Sequence, residues 1–302
     1  MSSPVAITIG NFDGMHIGHV QLVRIARSIV GDDGRVVVFS FDPHPVTVLR
    51  GGDPGRLTTF AERTRLLKEV GADEVVALNP TPRFLGQDPE EFLTTVIDPY
   101  RPGVIVEGPD FHFGRGRAGS VQTLRQLESK HGYRTMVIDP VEVALTDQSL
   151  VRVSSTMVRW LIERGRVRDV ALLLGRPYEL IGPVVKGDRR GRAIGVPTAN
   201  LDHVDHLLPG DGIYIGSGRL PDGRGYPAAI SIGTKPTFGR HPRLCEAHLI
   251  GYDGPLDDYG WTLRLKITDW LRDQIRFPEV RQLSEQMQRD IARAEAFCTM
   301  NR

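Results

Sequence analysis

The chain has 302 residues, about twice the length of an ordinary single domain, so we expect two domains. Hydrophobic residues make up 40% and charged residues 25% of the sequence, which is typical of globular proteins with a large core. Lys and Arg (38 residues) nearly balance Asp and Glu (37 residues). The net charge of +1 argues against capture of nucleic acid or anionic membranes by bulk charge.

The cysteine content and the first residues indicate the compartment. Cys245 and Cys298 are the only cysteines, too few for a disulfide framework or a four-thiolate zinc site. The opening sequence MSSPVAITIG has no basic segment and leads directly into a strand-like run, so it is not typical of a signal peptide. No apolar run approaches the roughly 20 residues that cross a bilayer. We therefore expect a cytoplasmic protein with no membrane or nucleic-acid partner.

The first half of the chain alternates apolar runs with amphipathic segments. Strands are predicted at Val5–Gly10, Arg35–Phe41, Glu74–Leu78, Gly103–Gly108 and Arg134–Asp139, and helices at Gly18–Val30, Thr59–Val70, Pro89–Ile97 and Ser120–Lys130. Strands such as RVVVFSF are apolar on both faces, as in a parallel sheet that helices cover on each side. Two further helices are predicted at Ser154–Glu163 and Val167–Leu174. The whole pattern predicts a doubly wound α/β domain over residues 1–175.

The second half has short strand candidates separated by Gly, Pro and Asp turns. These candidates lie at Tyr178–Val185, Gly212–Ser217, Ala228–Ile232, Leu244–Ile250 and Trp261–Trp270. Their spacing predicts a small antiparallel β-barrel over residues 176–302. After Pro278, apolar residues at helical spacing from Val280 to Phe297 predict a C-terminal helix that packs across the barrel or its open edge.

Four polar segments follow strands of the predicted sheet. GNFDGMHIGH (10–19) follows the first strand, FDPHP (41–45) the second, and GPDFHFGRGRAG (108–119) the fourth, while VSSTMVR (153–159) lies beyond the fifth. The carboxyl ends of parallel strands meet at one edge of a sheet, where ligands bind. We therefore predict that these four segments form one site.

The first of these segments has the chemistry of a phosphate site. His16 and His19 are three residues apart in a glycine-rich turn from strand to helix, so they share a face of the first helical turn. The helix N-terminus offers free N–H groups and a positive dipole end to phosphate, and the ring nitrogens could donate to a crowded, charged transition state. A zinc pair is the alternative, although no third ligand has metal-binding spacing. Ordinary structural histidines are a further alternative.

The second domain contains a glycine- and arginine-rich segment, GPVVKGDRRGRAIGVPTAN (182–200). Such glycine spacing fits a loop whose backbone amides wrap phosphates, but it is not a P-loop because no GK[ST] ending occurs. The Thr198 hydroxyl and the Asn200 amide oxygen are hard ligands that suit Mg²⁺ beside ATP phosphates. Taken alone, a basic hairpin loop explains the segment equally well. On a later strand, Leu244, Glu246 and His248 share one face.

The first domain resembles a known enzyme family. GNFDGMHIGH is similar to the HxGH signature of nucleotidyltransferases, and VSSTMVR is similar to their second Ser-Ser-Thr-x-x-Arg motif. With FDPHP and GPDFHFGRGRAG, the resemblance narrows to the FMN adenylyltransferase module of bacterial bifunctional riboflavin kinase/FAD synthetases. It implies that an FMN phosphate oxygen attacks the α-phosphorus of ATP and that pyrophosphate leaves, without a side-chain nucleophile.

This resemblance implies a role for each motif residue. The catalytic residues would be His16, His19 and Arg159. The ATP-binding residues would be Gly10, Phe12, Asp13, Gly14, His16, His19, Ser154, Ser155, Thr156 and Arg159. The flavin and FMN-phosphate side would be lined by Pro43, His44, Asp110 and Phe111.

The second domain resembles the riboflavin kinase module of the same family. The matching segments are the PTAN ending, Gly212–Tyr214, GTKPTF (233–238), EAHL (246–249), DYG (258–260) and Leu271–Phe277. The resemblance implies that Glu246 is the general base for the riboflavin 5′-hydroxyl as it attacks the γ-phosphorus. An arginine-paired surface glutamate is the alternative. ATP would be bound by Gly187, Gly191, Arg192, Gly195, Thr198 and Asn200, with Mg²⁺ held by Thr198 and Asn200. The chain departs from the family pattern at Pro109, Ser231 and Gly251.

The motifs together favour a bifunctional enzyme of flavin cofactor biosynthesis, with riboflavin, FMN, FAD and ATP as its small-molecule partners. One alternative is a nucleotidyltransferase that acts on another phosphate ester and uses the barrel only as a scaffold. Another is a flavin sensor without turnover, although intact His16, His19, Thr198, Asn200 and Glu246 argue for turnover. The sequence makes no prediction of oligomeric state.

Overall fold

The computed structural model describes residues 3–52, 54–193, 195–202, 206–234, 243–255 and 257–300. The chain forms two compact units. The first comprises Met1–Ala144 and Leu150–Ser155, and the second comprises Leu145–Ser149 and Thr156–Arg302. Most of the GTKPTF segment, from Lys235 onward, lies outside the described residues.

A five-stranded parallel sheet forms the centre of the first unit. Its strands are β1 (Val5–Gly10), β2 (Arg35–Phe41), β3 (Glu74–Leu78), β4 (Val104–Glu107) and β7 (Arg134–Val137), in the order β3-β2-β1-β4-β7. Two short antiparallel hairpins supplement it, β5 (His112–Phe113) with β6 (Gly119–Ser120) and β8 (Glu142–Ala144) with β9 (Leu150–Arg152). The sheet order reverses between β1 and β4, so their carboxyl ends flank the position at which such sheets bind ligands.

Helices cover both faces of this sheet, because its strands are apolar on each face. The α-helices of the first unit are α1 (Ile17–Val30), α2 (Pro45–Arg50), α3 (Phe60–Glu69), α4 (Pro82–Leu85), α5 (Pro89–Phe92) and α6 (Val121–His131). One core contains Val36 and Val38 with residues of α1 and α3. The opposite core contains Val37 and Phe39 with Leu124 of α6. This alternation confirms the predicted doubly wound architecture.

The second unit is built around a closed antiparallel barrel. Its strands are β10 (Tyr178–Val185), β11 (Ala199–Leu201), β12 (Gly212–Arg219), β13 (Gly225–Gly233), β14 (Leu244–Leu249) and β15 (Thr262–Arg272), in the cyclic order β10-β11-β14-β13-β12-β15. On β14, Cys245, Ala247 and Leu249 are buried, whereas Glu246 and His248 on the alternate face are only half-buried. The barrel core therefore uses one face of β14 and leaves the other for a site.

Helices also pack within the second unit. These helices are α7 (Ser155–Glu163, from Thr156 onward), α8 (Val167–Leu174), α9 (Arg190–Ala193) and α10 (Val280–Met300). The Gly210 N–H donates to the carbonyl of Ile162 on α7 at 2.9 Å, and Arg168 of α8 pairs with Asp269 of β15. The C-terminal helix α10 buries Ala294 against Ile215 and Leu271 of the barrel, as predicted for a helix that packs across it.

The structure differs from the predicted elements in short or irregular segments. Residues 89–97 were predicted as one helix, but α5 ends at Phe92 and Leu93–Ile97 form a π-helical turn. The strand β11 and both short hairpins were not predicted, because two or three residues are too few to show a periodicity. The remaining predicted strands and helices are present with bounds that agree within a few residues.

A buried carboxyl group at the end of β4 predicts how stability depends on pH. Glu107 is 2% exposed, its Oε1 accepts the Ile9 N–H at 2.6 Å, and burial raises its pKa well above the usual 4.5. Above pH 4.5 the unfolded chain releases this proton while the folded chain keeps it, so the free energy of unfolding falls with rising pH. The loss continues up to the raised pKa, with a limiting slope of about 1.4 kcal/mol per pH unit.

We therefore expect the Glu107→Gln variant to gain stability over the wild type progressively as pH rises above 4.5. Glutamine keeps an oxygen that accepts the Ile9 N–H but has no proton to lose. Thermal unfolding of both proteins across this range measures the difference. A difference in stability between the two proteins that does not change with pH would contradict the raised pKa of Glu107.

Candidate active sites

A buried carboxylate fixes the loop that follows β1. Asp13 is 3% exposed, and its carboxylate accepts the N–H groups of Leu57 and Thr58 at 3.0 to 3.1 Å. The Thr58 Oγ1 in turn accepts the N–H of Gly14 at 3.0 Å. Gly14 has a φ of +81°, and a Cβ at this position would lie 2.8 Å from Leu57. The carboxylate of Asp13 therefore shapes the loop by binding backbone amides.

The two histidines of this loop lie together at the start of α1. The His16 and His19 rings are stacked with their centroids 3.6 Å apart, and His16 is 7% exposed. The N–H of His19 donates to Nδ1 of His16 at 3.3 Å, so His16 caps the helix. Because Nδ1 accepts this bond, a neutral His16 carries its proton on Nε2. The pair thus presents imidazole nitrogens beside the first N–H groups of a 14-residue helix.

The second motif begins against this loop. Within the first unit, the Ser155 hydroxyl donates to the backbone carbonyl of Asp13 at 2.8 Å. Ser154 precedes Ser155 in the same unit, whereas Thr156 and Arg159 lie on the part of α7 that belongs to the second unit. The structure therefore brings Ser155 to the GNFDG loop.

The other two predicted segments have their own local contacts. His44 begins α2, and its Nδ1 accepts the N–H of Val46 at 3.2 Å, directly after the cis peptide bond that joins Asp42 to Pro43. The Asp110 carboxylate pairs with Arg152 at 2.5 Å, and both side chains are about half exposed or more.

The aromatic residues of the GPDFHFG segment pack together. The Phe111 and Phe113 rings stack with centroids 5.4 Å apart. Phe113 is 7% exposed and belongs to the sheet core, and Phe111 packs against that core while partly exposed. Core packing therefore explains Phe113, and Phe111 keeps an accessible surface for a ligand.

In the second unit, Glu246 lines a cavity between the barrel and α10. The barrel contributes Ile213, Ala229, Ser231, Glu246 and His248, and α10 contributes Leu283, Met287, Asp290 and Ile291. Most of the cavity surface is apolar, although Asp188, Arg189 and Gly191 of the glycine-rich segment also line it, so the cavity fits a hydrophobic ring system that carries polar groups. Thr198 also lines this cavity. Glu246 on β14 lies opposite Asn200 on the neighbouring strand β11.

A second cavity lies beside the first. Its lining comes from the glycine-rich segment, from β11 and β14 and from the loop before β15: Gly187, Arg189, Arg192, Thr198, Asn200, His248, Tyr252, Asp258, Tyr259 and Trp261. A Cβ on Gly187 would lie 2.4 Å from the Asn200 amide, so this glycine allows the backbone to approach Asn200 closely. The Asn200 Nδ2 donates to the Thr198 carbonyl at 3.4 Å.

Two arginines of the glycine-rich segment are paired with one aspartate at the rim of this cavity. Arg192 donates to both Asp257 oxygens at 3.1 and 3.3 Å, and Arg189 pairs with the same carboxylate at 2.8 Å. The hydrogen bond from Arg192 is the main reason that the pKa of Asp257 lies below its usual value. Gly191 and Gly195 form the turn of this loop. The Val196 N–H donates to the Gly191 carbonyl, and Gly195 has a φ of +80°.

Sequence patterns missed several residues of these sites. Leu57, Thr58, Arg152 and Asp257 lie outside the four N-terminal motifs and the glycine-rich segment. Their roles depend on contacts between segments far apart in the chain, for which a sequence pattern gives no signal. His248 had a signal, since it was predicted to share a strand face with Glu246.

The fold and the two sites define a class of protein: an α/β nucleotidyltransferase-type domain followed by a flavokinase-type barrel. The FAD synthetase family model matches residues 1–157, and the riboflavin kinase family model matches residues 174–298. A bifunctional riboflavin kinase/FMN adenylyltransferase of Escherichia coli (strain K12) is 32% identical over 302 residues, covering 96% of this chain and 92% of the relative. The relative of that name in Bacillus subtilis (strain 168) is 30% identical over 290 residues, covering 94% and 89%.

The chain therefore belongs to the family of bifunctional riboflavin kinase/FMN adenylyltransferases. The predictions of fold class, family, kinase and nucleotidyltransferase activity and a role in flavin cofactor biosynthesis are confirmed. A crystal structure described as a macrolide-efflux protein from Streptococcus pneumoniae has the same fold, with a TM-score of 0.84 and 31% identity over 96% of this chain and 93% of that one. Within the described ranges, none of the helices combines the length and the apolar character needed to cross a bilayer.

Proposed function

We propose that the chain converts riboflavin to FAD in two ATP-dependent steps at two separate sites. The residues 176–302 phosphorylate riboflavin to FMN and release ADP. The residues 1–175 transfer the adenylyl group of a second ATP to FMN and release pyrophosphate. The strongest support is the pair of adjoining cavities, one with a mostly apolar surface beside Glu246 and one lined by Gly187, Arg192 and Asn200, because a kinase must hold a ring and a nucleotide side by side.

At the adenylyltransferase site, binding and charge stabilisation do the chemical work. An FMN phosphate oxygen attacks the α-phosphorus of ATP, the bond to the β-phosphate oxygen breaks, and pyrophosphate leaves. His16 and His19, stacked at the helix start, donate to phosphate oxygens whose charge grows in the transition state. Gly10, Phe12, Asp13 and Gly14 shape the nucleotide loop, and Ser154, Ser155, Thr156 and Arg159 bind phosphates. Pro43, His44, Asp110 and Phe111 line the flavin side.

At the kinase site, Glu246 takes the proton from the riboflavin 5′-hydroxyl as that oxygen attacks the γ-phosphorus. The bond between the γ-phosphorus and the bridging oxygen then breaks, and ADP leaves. The flavin ring occupies the apolar cavity under α10, so its ribityl chain extends toward Glu246 and Thr198. ATP occupies the second cavity, whose lining includes Gly187 and Arg192. Gly191 and Gly195 belong to the same loop, and their backbone completes the phosphate site.

The donor set in the second cavity fits Mg²⁺ bound together with ATP. Thr198 and Asn200 offer two neutral oxygens, and Asn200 turns its Nδ2 toward the Thr198 carbonyl, which leaves Oδ1 for a cation. Mg²⁺ in proteins keeps several waters and completes its shell with phosphate oxygens, so two protein oxygens are enough. When bound, the ion would neutralise charge on the transferred phosphate.

The test of the function is a direct assay of the whole chain. Purified protein is incubated with riboflavin, ATP and Mg²⁺, and FMN and FAD are separated by chromatography. We expect FMN to form first and FAD to follow, with ADP and pyrophosphate as the other products. Flavin binding without any turnover would instead support a sensor, and FAD synthesis from FMN without FMN formation would restrict the barrel to a scaffold.

The Asp257 contact gives a prediction about ATP affinity. ATP phosphates must compete with the Asp257 carboxylate for Arg192 and Arg189, so the Asp257→Asn variant is expected to lower the KM for ATP in FMN formation. Because the pairs are exposed to solvent, the decrease will be about two- to fivefold. The Asp258→Asn variant is the matched control, since Asp258 lines the same cavity. An equal decrease in both variants, or a higher KM in the first, would contradict the competition.

We further propose that the protein acts in the cytoplasm on small molecules, without nucleic-acid or membrane partners. Both cysteines are free thiols, as is usual in a reducing compartment. Burial raises the pKa of the Cys245 thiol to about 12, so this neighbour of Glu246 is not a reactive nucleophile.

A further inference from the structure

The two cavities of the second unit share part of their lining. Among the described residues, Arg189, Thr198 and His248 contribute to both cavities. If the apolar cavity holds the flavin and the other holds ATP, phosphoryl transfer takes place where the two cavities meet. Arg189 lies at the rim and pairs with Asp257 and Tyr259, which leaves Thr198 and His248 as the inner part of the shared wall.

His248 is fixed to the segment that carries Thr198. Its Nδ1 lies 2.8 Å from the carbonyl oxygen of Pro197. A carbonyl only accepts hydrogen bonds, so Nδ1 carries the proton and donates it. This side-chain contact lies just beyond the pairing of β11 with β14, in which Ala199 is paired with Ala247 and Asn200 with Glu246.

We propose that His248 is a positioning residue of the phosphoryl transfer: its Nδ1–H holds the Pro197 carbonyl and so keeps the Thr198 hydroxyl beside Glu246. Pro197 has no N–H with which to join a strand ladder, so the backbone ahead of β11 depends on its carbonyl for anchoring. His248 lies on the same face of β14 as Glu246 and contacts the segment that carries Thr198. It therefore links the position of the base to the position of the metal-binding segment. The inference rests on the proposed kinase site.

The proposal is tested with three variants of the full chain. His248→Asn keeps a donor near the place of Nδ1, His248→Gln moves the donor toward the place of Nε2, and His248→Leu removes it. We expect the Leu and Gln variants to lose about 10- to 100-fold in kcat/KM for Mg-ATP and to need more Mg²⁺ for half-maximal rate. The Asn variant is expected to stay within about threefold of the wild type, with an unchanged pH profile of kcat.

Two controls keep the result interpretable. FAD formation from FMN should be unchanged in all three variants, which shows that the N-terminal domain is intact, and thermal unfolding close to that of the wild type shows that the barrel is folded. In a Thr198→Ala background, His248→Leu should lower kcat/KM for Mg-ATP little further, because residues that act together have non-additive effects. Wild-type rates in the Leu variant would overturn the proposal. An Asn variant with as low a kcat/KM as the Leu variant, or with a shifted pH profile, would also overturn it. Either result would mean that the imidazole ring itself is needed, and not only a donor to the Pro197 carbonyl. A wild-type chain that forms no FMN would instead refute the proposed function.

Discussion

Replacing Glu246 by glutamine is expected to abolish most FMN formation from riboflavin while leaving the conversion of FMN to FAD near normal. Glutamine has almost the same shape as glutamate, so the cavity between the barrel and α10 keeps its lining. It cannot take the proton of the 5′-hydroxyl, and loss of a general base costs about 100- to 10,000-fold in rate. Separate assays with riboflavin and with FMN as the starting flavin measure the two steps.

A matched control for Glu246→Gln is available on the same barrel. Glu179 on β10 is another largely buried carboxylate, paired with Arg264 and Lys266, and it lines neither cavity described above. The Glu179→Gln variant should therefore form FMN at a rate close to that of the wild type. Equal losses of both activities in Glu246→Gln would count against two separate sites, and normal FMN formation would refute the role of the base.

The sequence predicted the regular elements well because the physical signal is strong there. Strands such as β2 are apolar on both faces, and α8 carries an unbroken helical stripe, so the predicted bounds of Arg35–Phe41 and Val167–Leu174 agree with the structure. The π-helical turn at Leu93–Ile97 keeps the apolar spacing of a helix while changing its hydrogen bonding, so periodicity could not detect it.

The glycine and proline residues near the end of α8 could not show which unit α7 and α8 belong to. Gly175 and Pro177 break the chain after α8, which favoured a division at that point. In the structure α8 buries Val170 and Leu173, and most of α7 belongs to the second unit together with α8. Which surface an amphipathic helix covers depends on tertiary packing, and the hydrophobic pattern only says that it covers one.

Motifs identified which residues carry the chemistry, and the structure identified what holds them. The pattern around His16 and His19 indicated phosphate binding, but the anchoring of that loop by Asp13 to Leu57 and Thr58 spans more than 40 residues of chain. Likewise, Arg192 was assigned to ATP, and its partner Asp257 lies 65 residues away. Such contacts are formed by loops with no periodicity, so only the folded chain reveals them.

Removing the imidazole pair is expected to have the reverse effect of the Glu246 substitution. In the double variant His16→Ala with His19→Ala, FAD formation from FMN should fall by about 100- to 1,000-fold or more, since each lost donor weakens charge stabilisation in the transition state. FMN formation from riboflavin should stay near the wild-type rate. Initial rates of pyrophosphate release with FMN and ATP, alongside FMN formation from riboflavin, measure both effects.

Because His16 also caps α1, alanine alone would not separate a structural role from a phosphate role. Asparagine at position 16 keeps an oxygen that can accept the His19 N–H, and asparagine is among the best helix caps, but it has no nitrogen at the place of Nε2. If the imidazole donates to phosphate, the His16→Asn variant unfolds at the wild-type temperature and still loses most FAD formation. If His16 only caps the helix, His16→Asn is fully active and His16→Ala is both less stable and less active. Wild-type FAD synthesis in the double variant would remove both histidines from the mechanism.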